Sequence, residues 1–137
     1  MYSQFTYLNA IYFQIETILY CILSLINMKD FMANEVDSVV LSSKSLLLFY
    51  ADWCGYCKSF IPAFAQSIEK LDSDIIAGGV KLNDDDNPLW DKYKINAVPT
   101  MIAFSKGSVL DRKDAKMGIG LAKRDLVSIL SRLGHIA

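Results

Sequence analysis

The sequence predicts one α/β domain with a mixed central β-sheet flanked by helices. Residues 46–51 (Leu46, Leu47, Leu48, Phe49, Tyr50, Ala51) form an unbroken apolar run, the pattern of a strand buried on both faces of a parallel or mixed sheet. From Gly55 to Leu71, Cys57, Phe60, Ile61, Phe64, Ile68 and Leu71 recur at helical spacing. Farther on, Met101 to Phe104 and the residues from Val109 flank a Lys106-Gly107-Ser108 turn, the signature of a hairpin.

A chain of 137 residues fits one domain and buries a core without disulfide staples or a structural metal. Its 53% hydrophobic and 21% charged residues are a globular composition. A net charge of −1, with the basic residues spread along the chain, leaves no electrostatic footprint for nucleic acid. Three cysteines, two of them separated by only two residues, are no framework for a stapled secreted module. The third, Cys21, sits among Leu19, Tyr20, Ile22 and Leu23 as a small hydrophobe does, and takes no role.

Taken in order, residues 7–26 are mostly apolar and no Lys or Arg precedes Lys29. A secretory signal would have a basic start, a shorter apolar run and small residues at a cleavage site. A membrane span fits the length, but a charge such as Glu16 near its middle costs roughly 2.5–3.5 kcal/mol. The competing reading makes residues 1–21 an apolar, amphipathic extension and residues 22–26 a strand of a domain over 22–137. Asn27 then reads as a helix N-cap with Asp30 at the third helical position, and Phe31, Met32 and Val36 facing inward. Ser42, Ser43, Lys44 and Ser45 read as a polar linker to the buried strand. Pro62 falls inside the helix that follows, where it favours a kink. Residues 75–82 read as a strand, Asp84, Asp85 and Asp86 as an acidic turn, and residues 88–93 as a short helix opened by Pro88. After the hairpin, residues 121–133 form a closing helix with Ala122, Leu126, Ile129, Leu130 and Leu133 on one face.

The close cysteine pair thus falls where a buried strand ends and a helix begins. A nucleophilic thiolate needs a proton that leaves easily, and the free N–H groups and dipole at a helix N-terminus provide this for Cys54. Cys57 lies one turn later on the same face, within the roughly 7 Å Cα separation that a disulfide requires. Cys54 can attack a disulfide in a client protein, and Cys57 can then attack the mixed disulfide; run backward, the same site oxidises. Half of a zinc site is the alternative, but Cys21 and His135 lack ligand-like spacing, and no metal or cofactor is expected. Inert core cysteines would sit oddly beside Trp53 and Gly55. A non-catalytic interaction module on the same fold is the rival from another class.

The stretch Phe49-Tyr50-Ala51-Asp52-Trp53-Cys54-Gly55-Tyr56-Cys57-Lys58 resembles the active-site segment of the thioredoxin family, including the thioredoxin-like domains of protein disulfide isomerases. Pro62, Lys81-Leu82-Asn83, Val98-Pro99-Thr100 and Gly118, in the last strand region, continue the resemblance in the family's order, over roughly residues 22–133. It implies a thioredoxin-like three-layer fold, with Cys54 attacking, Cys57 resolving and Pro99 as a cis-proline facing them. It also implies a client-binding surface of Trp53, Gly55, Tyr56, Val98 and Pro99, with the Val98 backbone pairing with the client like an added strand. The partners implied are client proteins with disulfides or thiols and an upstream thiol reductant or reductase.

One position departs from the family. Thioredoxins usually carry a buried Asp, and disulfide isomerases a Glu, six residues before the first cysteine, where it helps move the resolving thiol's proton. Here that residue is Leu48, which leaves Lys81 without its acidic companion and pointing to solvent, and slows turnover. Gly55-Tyr56 between the cysteines differs from the Gly-Pro of reducing thioredoxins and the Gly-His of protein disulfide isomerases, and resembles the pair of some bacterial disulfide isomerases. Absence of a clear export signal places the domain in the reducing cytoplasm as a reductase; were residues 7–26 a membrane span, Lys29 would keep the domain on the cytosolic side.

Overall fold

The computed structural model describes residues 14–16, 18–19 and 28–134. The expected strand over 22–26, the Asn27 cap and Cys21 lie outside them. Among the described residues, no helix is long and apolar enough to cross a membrane.

Helix α1 (Ala33–Val40) leads into strand β1 (Lys44–Tyr50), followed by α2 (Gly55–Ile68), β2 (Ile75–Lys81) and the short α3 (Leu89–Lys92). The hairpin β3 (Thr100–Ser105) and β4 (Ser108–Asp114) and the helix α4 (Lys123–Arg132) complete the order. The described strands form one sheet in the order β2-β1-β3-β4. β1 runs parallel to β2 and antiparallel to β3, which makes the sheet mixed. The uninterrupted apolar run therefore lies at its centre, with Leu46, Leu47, Leu48 and Phe49 fully buried.

Each element expected within the described residues is present, and the differences lie at boundaries. β1 starts at Lys44, so the polar linker is only two residues long, and Ser45 is buried opposite Ile76 and Phe104. The first helix starts at Ala33, well after Asn27, and the reason is the sheet. The Phe31 amide donates to the Gly79 carbonyl and the Gly79 amide to the Lys29 carbonyl, both at 2.8 Å, which holds residues 29–31 extended beside β2. Asp30 consequently belongs to a parallel bridge rather than to a helix. Glu35, at the third helical position, supplies the start signal by accepting from the Met32 amide at 3.1 Å. Met32 is thus the N-cap and points outward, while Phe31 and Val36 are buried as expected. In the same way Asp125 accepts from the Ala122 amide at 2.8 Å and starts α4.

The hairpin turns through Lys106 (φ 51°) and Gly107 (φ 88°), two consecutive left-handed residues of the kind that match the twist of the joined strands. Gly118 lies in a turn rather than in the last strand, because β4 ends at Asp114. That turn is closed by paired hydrogen bonds between Lys116 and Gly120.

The Ser45 hydroxyl is buried and has no hydrogen-bond partner among the described residues. A desolvated hydroxyl that gains nothing in return destabilises the fold, so Ser45→Ala should raise unfolding stability by about 1 kcal/mol. Urea denaturation checks this; a lowered midpoint would show that the hydroxyl has a partner in solution.

Candidate functional site

The end of β1 sets the site's geometry. The Cys54 amide donates to the Ala51 carbonyl at 3.3 Å, closing a tight turn that reverses the chain from strand into α2. Cys54 is the N-cap of α2, with extended backbone angles (φ −95°, ψ 114°), and its sulfur accepts from the Cys57 amide at 3.2 Å. Sulfur takes the place an Asp or Ser oxygen occupies at ordinary caps, so negative charge on it faces an N–H and the positive end of the helix. Both cysteines are free thiols. Cys54 is 7% exposed and Cys57 fully buried, so an incoming sulfur meets Cys54 first. Burial pushes the Cys57 thiol well above its ordinary pKa, helped by the hydrogen bond from Cys54 and the charge Cys54 carries when ionised.

Across from the pair lies the segment between α3 and β3. The Cys54 thiol donates to the Val98 carbonyl at 3.5 Å, bringing together residues 44 apart in sequence. The Val98–Pro99 peptide bond is cis, as the resemblance implied, and both residues are buried. Trp53 is exposed, with its indole N–H on the Asn83 carbonyl at 3.3 Å. Gly55 has open space where a side chain would project. Tyr56 is half-exposed and packs on the turn at Gly120, where an added Cβ would come within 3.0 Å of the Tyr56 ring. Gly120 (φ 77°) permits both that approach and the turn.

Two further residues hold the loop, and sequence reasoning assigned them no role. The Asp52 amide donates to Asn83 Oδ1 at 2.9 Å, and Asn83 Nδ2 donates to Asp52 Oδ2 at 2.9 Å. Together these bonds clamp the Trp53 turn to the end of β2. Lys81 does not simply point to solvent: its Nζ lies 3.3 Å from Asp52 Oδ2, because the parallel register sets Lys81 beside Tyr50. The Asn83 hydrogen bond first, and Lys81 second, hold the Asp52 carboxyl below the usual range. The detectable signal is the acid one residue before Trp53 together with Lys81-Leu82-Asn83, but only the register between β1 and β2 joins them.

Leu48 is fully buried where the family has its acid, between Gly79 and Met101 on the neighbouring strands. Tyr50, next on that face of β1, donates its hydroxyl to Asp30 Oδ1 at 2.7 Å. Gly79 makes room for that bond, since a Cβ there would lie 2.6 Å from Asp30 Oδ1 and 2.7 Å from the Tyr50 ring.

The family profile described as Thioredoxin matches residues 27–132. A thioredoxin from Chlamydia caviae is 31% identical over 93 residues, 68% of this chain and 84% of that protein. A protein disulfide-isomerase from Triticum aestivum is 38% identical over 80 residues, 55% of this chain, though the match spans only 16% of the larger wheat protein. Among solved structures, thioredoxin f from spinach chloroplast (short form) superposes with a TM-score of 0.67 at 19% identity, covering 78% of this chain and 93% of that one. That likeness shows a common fold, and the profile, matched along most of the length, shows common descent: the chain belongs to the thioredoxin family.

Proposed function

We propose that this protein is a thiol–disulfide oxidoreductase that reduces disulfides in client proteins through Cys54 and Cys57. The observation that carries the reading is Cys54 itself: a sulfur capping a helix, bonded to the Cys57 amide and facing Val98 at the mouth of the site. Cys54, as the thiolate, attacks one sulfur of the client disulfide, which breaks and leaves the client's other sulfur as a departing thiolate that takes a proton. Cys57 then loses its proton and attacks Cys54 Sγ. The Cys54–Cys57 disulfide forms, the mixed disulfide breaks, and the client leaves with two electrons gained. An upstream dithiol reductant restores the pair.

Val98 serves both states. While Cys54 is protonated its S–H occupies the Val98 carbonyl. Once the proton leaves, that carbonyl is open to a client N–H, so ionising the nucleophile and exposing the docking edge are one event. Trp53, Gly55, Tyr56 and Pro99 frame the approach. The reducing cytoplasm is the setting proposed, with residues 22–137 as the folded unit.

Insulin reduction with dithiothreitol tests the reading. The protein should accelerate precipitation of the insulin B chain, and Cys54→Ser should return the rate to that of dithiothreitol alone. Equal rates for the two proteins would make the chain a binding module instead. The direction of exchange is read from the reduction potential of the pair: a value near −270 mV, where thioredoxin lies, supports a reductase, and one near −180 mV, where protein disulfide isomerase lies, an oxidase or isomerase.

A further inference from the structure

Residues 93–99 form a strap that leaves α3 and returns to the sheet at Thr100, carrying Val98 to Cys54 on the way. The ends of the strap are held from β4 by Arg112 and Asp114. Arg112 stands on β4 opposite Ile102, and Asp114, two residues on and on the same face, stands opposite Thr100. Arg112 Nη1 donates to the Tyr93 carbonyl at 2.5 Å and Nη2 to the Lys94 carbonyl at 2.6 Å. These carbonyls lie at the end of α3, where helical partners have run out, and Lys94 leaves the helix in the left-handed region (φ 52°).

The guanidinium is itself oriented by Asp114. Arg112 Nε donates to Asp114 Oδ1 at 3.0 Å and to Oδ2 at 3.1 Å, and Nη2 lies 2.9 Å from Oδ1. At the far end of the strap, the Thr100 hydroxyl donates to the Ala97 carbonyl at 2.7 Å and lies 3.4 Å from Asp114 Oδ1. Arg112 thus grips the entry to the strap directly and its exit through Asp114 and Thr100. The planar fork suits this task, since it reaches two carbonyls and a carboxylate at once, and an ammonium group cannot span them.

We propose that Arg112 is a positioning residue for client binding, which sets the strap at the height where the Val98 backbone meets both Cys54 and an incoming client strand. This rests on the reading of Val98 as the client's docking edge. Arg112 touches neither sulfur, so its loss should be felt by substrates that pair with backbone and not by those without one.

The test compares two substrates, insulin and the small disulfide 5,5′-dithiobis(2-nitrobenzoate), which has no peptide backbone. For Arg112→Met, which keeps much of the aliphatic stem, kcat/KM on insulin should fall about tenfold, mainly through KM, while the rate with the small disulfide stays within about twofold. Arg112→Lys should not rescue insulin reduction, and Asp114→Asn should show a smaller loss of the same kind. Hydrogen exchange reads the strap without turnover: the Ile95 amide, bonded to the Trp90 carbonyl at 2.8 Å, should lose protection in Arg112→Met while β1 amides keep theirs. Equal losses on both substrates, rescue by Lys, or unchanged protection in the strap would overturn the proposal. Wild-type protein inert toward insulin yet active on the small disulfide would instead remove the client-reductase reading, and the positioning role with it.

Discussion

Replacing Cys57 by Ser should stop the reaction halfway, with a client protein held covalently on Cys54. The substitution leaves the attacking sulfur intact, along with the amide at position 57 that donates to it at 3.2 Å. Attack on the client disulfide therefore still occurs. Resolution does not, because a serine hydroxyl does not ionise near neutral pH and so cannot displace the client's sulfur. Position 57 is closed to solvent, so no outside group takes its place there. Non-reducing electrophoresis should show a one-to-one adduct that dithiothreitol dissolves, mass spectrometry should place the bond on Cys54, and insulin turnover should fall to background. Turnover near that of the wild type would mean that Cys57 is not the resolving group.

The second large effect concerns the missing acid. Cys57 holds its proton firmly because burial, and then the hydrogen bond from Cys54, disfavour the thiolate. Below that raised pKa the reactive fraction grows about tenfold for each unit of pH, so the resolution rate should climb with a slope near one between pH 6 and 9. Leu48→Asp places a carboxylate where the family has one and should raise resolution at pH 7 on the order of 100-fold, the lower end of what a positioned base contributes. It should also flatten the pH profile above the carboxyl's own pKa. The same substitution removes a fully buried side chain and buries a carboxyl, so it should cost roughly 3 kcal/mol of stability or more. Single-turnover quench experiments over that pH range measure both features. An unchanged rate and slope in the folded variant would show that proton removal from Cys57 does not limit resolution.

The raised Cys57 pKa has a stability counterpart of defined sign. The unfolded chain releases this proton near the ordinary thiol value of about 8.5, whereas the folded chain keeps it to higher pH. The contribution is therefore complete below about pH 8.5 and is lost as pH rises toward the folded value. Cys57→Ser should flatten a plot of denaturation midpoint against pH between about pH 8.5 and 10, above which the Tyr50 and Tyr93 hydroxyls, also raised by burial, continue the decline.

How far these features could be read from sequence depends on the range of the forces behind them. The buried strand at residues 46–51, the helix from Gly55 and the hairpin around Gly107 follow from apolar periodicity and turn chemistry within a few neighbours. The Cys54-Gly55-Tyr56-Cys57 segment is equally local, since a helix begun at Cys54 fixes which amide meets its sulfur. A helix running through Asp30 is what the local pattern predicts, but a distant strand competes for residues 29–31, and sheet hydrogen bonds to Gly79 outweigh that local preference. Motif order sets Gly118 in the last strand region, since it carries no information on where β4 ends.

By itself, then, the sequence determined the family, the close cysteine pair and the helix that Cys54 caps, because each is written in residues close together along the chain. Tertiary structure alone decided that Lys81 pairs with Asp52, that Tyr50 reaches Asp30, and that Arg112 and Asp114 hold the strap bearing Val98. Those contacts join residues up to 29 positions apart, and they exist only once strand register has set one side chain beside another.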